Sequence, residues 1–174
     1  INYQLPKEQR EKAFASLSEQ AQKAVAAEPD AAELHIWNGI ILSTYAGAKG
    51  GLGALGLVKQ AKASLEQGLA LDPQALSGSA YTSLGSLYYQ VPGWPVGFGD
   101  KEKARELLQK ALAISPKGID ANFFFAEYLV ENKKPEEAVA YLERALQAPA
   151  RPGRPMADAG RREEASQLLA KIKR

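Results

Sequence analysis

Cysteine is absent from the 174 residues, and histidine and methionine occur once each. Without cysteine there can be no disulfide, no thiolate metal site and no cysteine nucleophile. The compartment stays open, because a chain free of cysteine suits a reducing cytosol and a periplasm equally. The single histidine, His35, removes most hydrolytic and zinc arrangements, which need a base with an oriented partner or several ligands. A lone histidine within a helix reads as structural. The adjacent carboxylates Glu136–Glu137 and Glu163–Glu164 stand at helix starts, where the helix dipole accounts for them. The reading is therefore non-enzymatic, with no catalytic residues, no metal and no cofactor. No apolar run reaches ~18 residues, so no segment is expected to span a membrane. The net charge of +2 is too small by itself to draw nucleic acid.

That charge is unevenly placed. From Arg151 onward seven basic residues face three acidic ones, a local +4. This reads first as a solvated terminal helix and second as a phosphate or acidic-partner site. Glycine is plentiful in Gly47–Gly56, where Gly51, Gly53 and Gly56 spell GxGxxG. A dinucleotide site would need a strand before that motif and a βαβ alternation after it. Both are missing, so the segment is expected to be a long flexible turn, its glycines unable to hold regular structure.

What is present is a repeated pattern. In the stretch 80–116, Tyr81, Leu84, Gly85 and Tyr88 fall on one helical face, and Ala104, Leu108 and Ala111 on another, closed by Pro116. A small residue at Gly85 allows close helix approach, the alanines keep the contact flat, and the proline stops the helix. The set recurs downstream as Phe125, Ala126, Ala138, Leu142, Ala145 and Pro149. Upstream it recurs as Gly39, Ala61, Leu65, Gly68 and Pro73, and then as a half copy with Ala21, Ala24 and Pro29. Prolines 29, 73 and 116 are spaced by 44 and 43 residues. This ordered set resembles the tetratricopeptide repeat, whose period is about 34 residues. Both excesses are expected in the turns between paired helices.

The resemblance implies an all-α, right-handed helical-hairpin solenoid with a C-terminal capping helix. The expected division is a half repeat over 1–30, a repeat with a Gly-rich insert over 31–74, a repeat with a Pro/Gly/aromatic insert over 76–117, a repeat over 118–150, and an extended linker with the capping helix over 151–174. Asp100 is the expected N-cap of the helix that follows it, and Pro135 with Glu136 and Glu137 a helix start. The last helix, from about Ala157, offers Ala165, Leu168, Leu169 and Ile172 to the array and a polar outer side. The chain begins at Ile1 rather than methionine and its first copy lacks a leading helix, so residues upstream are expected to belong to the array.

A stacked hairpin array binds through its concave face. The resemblance implies that the leading helix of each pair lines it, through Ile36 and Ile40, Thr82 and Ser86, and Phe123 and Glu127, with Ser43, Tyr89 and Val130 one turn on. The cations with which such domains grip terminal carboxylates do not occur at those positions. The face is expected to be apolar, hydroxylated and mildly acidic, suited to an apolar peptide or a small hydrophobic ligand. In the insert Val91–Asp100, Trp94 and Phe98 sit among prolines that limit its freedom. They either plug the solenoid or form one wall of the binding site with Trp94 on the partner. The inserts and Gly97–Lys101 are also similar to exported T-component proteins associated with TRAP solute transporters. That likeness implies a periplasmic location, with a cytoplasmic one as the alternative. It also implies a solute-binding-protein partner and a capacity to oligomerise.

Overall fold

The computed structural model describes residues 3–173, in which every regular element is a helix: α1 (Lys7–Ala27), α2 (Ala32–Lys49), α3 (Gly53–Leu71), α4 (Ala75–Gln90), α5 (Lys101–Ile114), α6 (Ile119–Glu131), α7 (Pro135–Leu146) and α8 (Pro155–Ile172). Neighbours in sequence pack as hairpins: α2 on α3, α4 on α5, α6 on α7. Helices α2, α4, α6 and α8 also touch in succession, and so form an inner row. Helix α1 packs on α2, and α8 packs on α6 and α7 in the place of the next inner helix. The chain is an all-α helical-repeat solenoid.

The repeated small residues set the hairpin spacing. A Cβ on Gly85 would lie 2.6 Å from Leu108 Cγ, and one on Gly39 would lie 2.8 Å from Leu65 Cδ2. Leu65, Leu108 and Leu142 are wholly buried, as are Ala61, Ala104, Ala111, Ala138 and Ala145. Each such leucine contributes about 1.5–3 kcal/mol of burial. The capping helix buries Ala165 and leans Leu168, Leu169 and Ile172 on the same core. In α1 Phe14 and Ser18 are the buried residues, with Ala13, Leu17, Ala21 and Ala24 only half-buried around them.

Local chemistry fixes the helix ends. The Asp100 carboxylate accepts from the Lys103 backbone N–H at 3.0 Å, capping α5. Pro135 opens α7 with two glutamates in its first turn, and Pro155 opens α8. His35 Nε2 donates to the Pro29 carbonyl at 2.7 Å. Asn122 does the same for the Pro116 carbonyl at 2.9 Å, again six residues on. The histidine thus ties an inner helix to the turn before it, and its role is structural.

The Gly-rich segment is not the flexible turn expected of it. Helix α2 runs to Lys49 and α3 starts at Gly53, so only 50–52 are non-helical. Gly50 and Gly51, at φ 66° and 58°, reverse the chain in the left-handed region that costs other residues strain. The remaining glycines are helical because a long hairpin buries Ala46 and Val58 beyond the usual repeat length. The extra residues of that copy therefore lengthen two helices. In the next copy they stay in the loop 91–100. Its helix α4 opens with a left-handed turn, Leu76, Ser77 and Gly78 at φ 49°, 55° and 76°, where Gly78 lies against Ile114.

Candidate functional site

The inner row encloses a groove of about 810 Å³. On α4, Ser79, Thr82, Ser83, Ser86 and Gln90 recur at three- and four-residue steps and therefore share one helical face. Ile40, Ser43, Thr44 and Gly47 do the same on α2. Together with Leu87 and Val58 these residues make a wall of hydroxyls and small apolar groups. The rim carries Leu52, 88% exposed at the α2–α3 turn, and Val96 of the aromatic loop.

The other end of the groove is basic, because α8 and the segment before it bring Arg151, Arg154 and Arg161 to face Lys7 and Arg10 of α1. Arg151 Nη1 donates to Asp120 Oδ2 at 2.5 Å and Arg151 Nε to Asp158 Oδ1 at 2.6 Å. Arg161 Nε donates to Asp120 Oδ1 at 2.8 Å and its Nη1 to Glu164 Oε2 at 2.6 Å. The Arg161 guanidinium also lies 4.6 and 4.5 Å from the Phe123 and Phe124 ring centres. Burial opposes ionisation of Asp120, but Arg161 and Arg151 outweigh it and hold its carboxyl below the ordinary value. Asp158 is lowered too: burial resists, and the Arg151 backbone N–H and guanidinium prevail. Burial pushes the Tyr3 phenol up to about 12; Arg161 opposes this, and Glu164, which accepts the phenol's hydrogen bond, reinforces it.

Arg154 is different. Its guanidinium stacks 4.5 Å over the Trp37 ring, and no carboxylate among the described residues pairs with it. Burial and then the neighbouring charge of Arg151 both lower its proton affinity.

The residues expected on the concave face are scattered. Ile40, Ser43, Thr82 and Ser86 line the groove. Ile36 does not, being fully buried in the α2–α3 hairpin, where the missing side chain of Gly68 leaves it room. Phe123 and Glu127 border a second, shallower depression of about 370 Å³ with Gln90, Gln167 and Lys171. Tyr89 donates to Glu127 beside it, and burial with that carboxylate pushes the phenol up. Phe98 packs edge-to-face on Tyr88 at 5.4 Å and leans, half-buried, on the core of the first hairpins. Trp94 is 90% exposed and outside the groove lining. It plugs nothing.

The expectation of a mildly acidic, apolar face is thus corrected at one end, where the terminal basic cluster, read first as solvated, turns inward. The missed residues are Arg10, Trp37, Phe124, Arg151, Arg154 and Arg161. For Arg151, Arg154 and Arg161 the local +4 was the only signal, and it did not say which way α8 would face; Arg10, Trp37 and Phe124 carried none. No group of three or more acidic or histidine side chains is placed to hold a metal among the described residues, and no described helix is long and apolar enough to cross a membrane.

Residues 96–152 match the family model of the tetratricopeptide repeat. A search of curated protein sequences finds no match. The fold is similar to the crystal structure of MamA, at 20% identity and a TM-score of 0.54, over 95% of this chain and 90% of that one. A second crystal structure, of MamA protein, gives 22% identity and a TM-score of 0.53, over 95% of this chain and 84% of that one. At these identities the likeness is one of fold.

Proposed function

We propose that this tetratricopeptide-repeat solenoid is a non-catalytic protein-interaction scaffold that receives an extended peptide segment in its concave groove. The observation that carries the reading is the groove itself: α2 and α4 turn small hydroxylated and apolar faces onto one continuous space of about 810 Å³, which α6 and α8 border with Asp120, Phe124 and Arg161. Ser43, Thr44 and Ser79 give their protons to carbonyls of their own helices and keep lone pairs that can accept from the backbone N–H groups of an extended chain, while Ser83 and Ser86 stand beside them on the same wall. The apolar groups between them, Ile40, Val58 and Leu87, suit small side chains. Leu52 and Val96 stand exposed on the rim, where a partner's folded body would meet them.

Ser83 is half-buried at mid-groove on α4, so Ser83→Trp blocks the space without touching the core. Affinity purification with crosslinking should find a polypeptide joined to the inner helices of the wild type and lost from S83W. If S83W retains the same partner at the same strength, the groove is not the binding site.

A second reading, a small hydrophobic ligand enclosed by the same helices, draws support from the groove's volume, which falls in the range of small-molecule sites. It accords with the T-component resemblance and a transporter-accessory role. Native mass spectrometry of the purified protein separates the readings, since a small apolar ligand would travel with it as a discrete added mass.

A further inference from the structure

We infer that the basic end of the groove holds a side-chain carboxylate of an acidic peptide, gripped by the Arg154 guanidinium on its Trp37 platform. The inference rests on the scaffold reading and names the chemistry of its partner. Five cations line the groove, Lys7, Arg10, Arg151, Arg154 and Arg161, against the two carboxylates Asp120 and Glu164. Arg151 and Arg161 are neutralised by Asp120, Asp158 and Glu164. Lys7, Arg10 and Arg154 have no carboxylate partner among the described residues, and Arg10 Nε is turned onto the Leu5 carbonyl. The groove therefore carries positive charge that its own side chains leave uncompensated.

Arg154 is the member of that set best prepared to bind. Its contact at 4.5 Å holds the guanidinium over the Trp37 ring, so less rotamer freedom remains to be lost when a carboxylate docks. The planar fork presents paired N–H donors matched to a carboxylate's two oxygens. It stands half-buried beside Arg151, whose charge disfavours its own. An incoming carboxylate would offset the Arg151 repulsion and give the half-buried guanidinium a charged hydrogen-bond partner. A polyanion fits less well, because Asp120 and Glu164 in the same groove repel it and the chain's net charge is only +2. From this end the hydroxylated wall leads away along α4 and α2, so the occupant is an extended segment with an acidic residue at one end and small or hydroxylated residues along its length.

The test is selection from a random-peptide display library on wild-type protein, R154Q, R154E, W37L and S83W, with melting temperatures taken for all five. Wild type should select peptides rich in Asp and Glu. A synthetic peptide from that pool should bind R154Q about tenfold or more weakly, lose affinity as salt rises, and bind W37L more weakly as well. R154E should select Lys- and Arg-containing peptides instead. Groove binders without acidic enrichment, displaced by S83W, would overturn this inference and leave the scaffold reading standing. Acidic peptides whose affinity R154Q and W37L leave unchanged would overturn the assignment to Arg154. A single-stranded oligonucleotide that outcompetes the selected peptides would replace the carboxylate with a phosphate chain and overturn it too. Failure to select any peptide that S83W displaces would sink both readings together. If R154Q should unfold, W37L and the salt dependence still decide the matter.

Discussion

Replacing Gly85 with alanine adds one methyl carbon where α4 crosses α5. Built on the existing backbone, it would lie 2.6 Å from Leu108 Cγ, 2.9 Å from Leu108 Cδ2 and 3.3 Å from the Ala104 carbonyl oxygen. Cγ is the branch point of a wholly buried side chain, and the carbonyl belongs to the helix backbone, so neither can move alone. The helices must separate, an overpacking cost of typically 1–3 kcal/mol. Alanine in a helix recovers at most about 1 kcal/mol of that through propensity. Gly85→Ala should therefore destabilise by about 1–2 kcal/mol, and Gly85→Leu by about 3 or more. Gly56 is the control: it lies inside α3 with nothing within 4 Å of its Cβ position. Gly56→Ala should stabilise by about 0.5–1 kcal/mol. Urea unfolding by circular dichroism reads both from the midpoints, the slope being unchanged if the unfolded surface is the same. A further arm removes the obstacle. Leu108→Ala costs about 2–5 kcal/mol alone, but in that background Gly85→Ala should become neutral or favourable, a coupling of about 1 kcal/mol or more. Equal midpoints for G85A and wild type, or additive effects with L108A, would refute the role given to this crossing.

Asp120→Asn should cost about 2 kcal/mol at neutral pH, below the figure for a fully buried pair because this carboxylate is 30% exposed. Its folded value is held below the ordinary 3.8, so the stability it contributes is present above that value and lost as pH falls through the lower one. Wild type should thus lose stability more steeply than D120N below about pH 4, which an acid series of urea midpoints reads; parallel curves would contradict it. Trp94→Ala should change stability by less than about 0.5 kcal/mol, whereas Phe98→Ala should cost about 2 through its lost contact with Tyr88. If Trp94 meets the partner, W94A also weakens binding by about 2 kcal/mol; equal destabilisation by the two substitutions would mean Trp94 packs.

The repeat was legible in the sequence because close packing leaves a local trace. Gly39, Gly85 and Ala126 oppose Leu65, Leu108 and Leu142 at a fixed helical spacing, and each pair needs only its own hairpin to be understood. Helix starts at Asp100 and Pro135 were legible for the same reason, since a cap involves residues three or four apart. The structure decided what depends on distant chain segments. Whether Gly47, Gly53 and Gly56 belong to a loop or to helices turned on the burial of Ala46 and Val58 across a long hairpin, which outweighs glycine's weak helix propensity. Ile36 and Ile40 look alike four residues apart, yet one is sealed behind Gly68 and the other lines the groove. The two loop aromatics could not be separated until Tyr88 was seen to take Phe98 and leave Trp94 outside. Most of all, the character of the groove came from α8. The sequence determined that Arg151, Arg154 and Arg161 cluster, but their direction is set by Asp120, Phe124 and Trp37, carried on helices far earlier in the chain. Charge can be counted along a chain, whereas the field in a groove depends on which helices meet there.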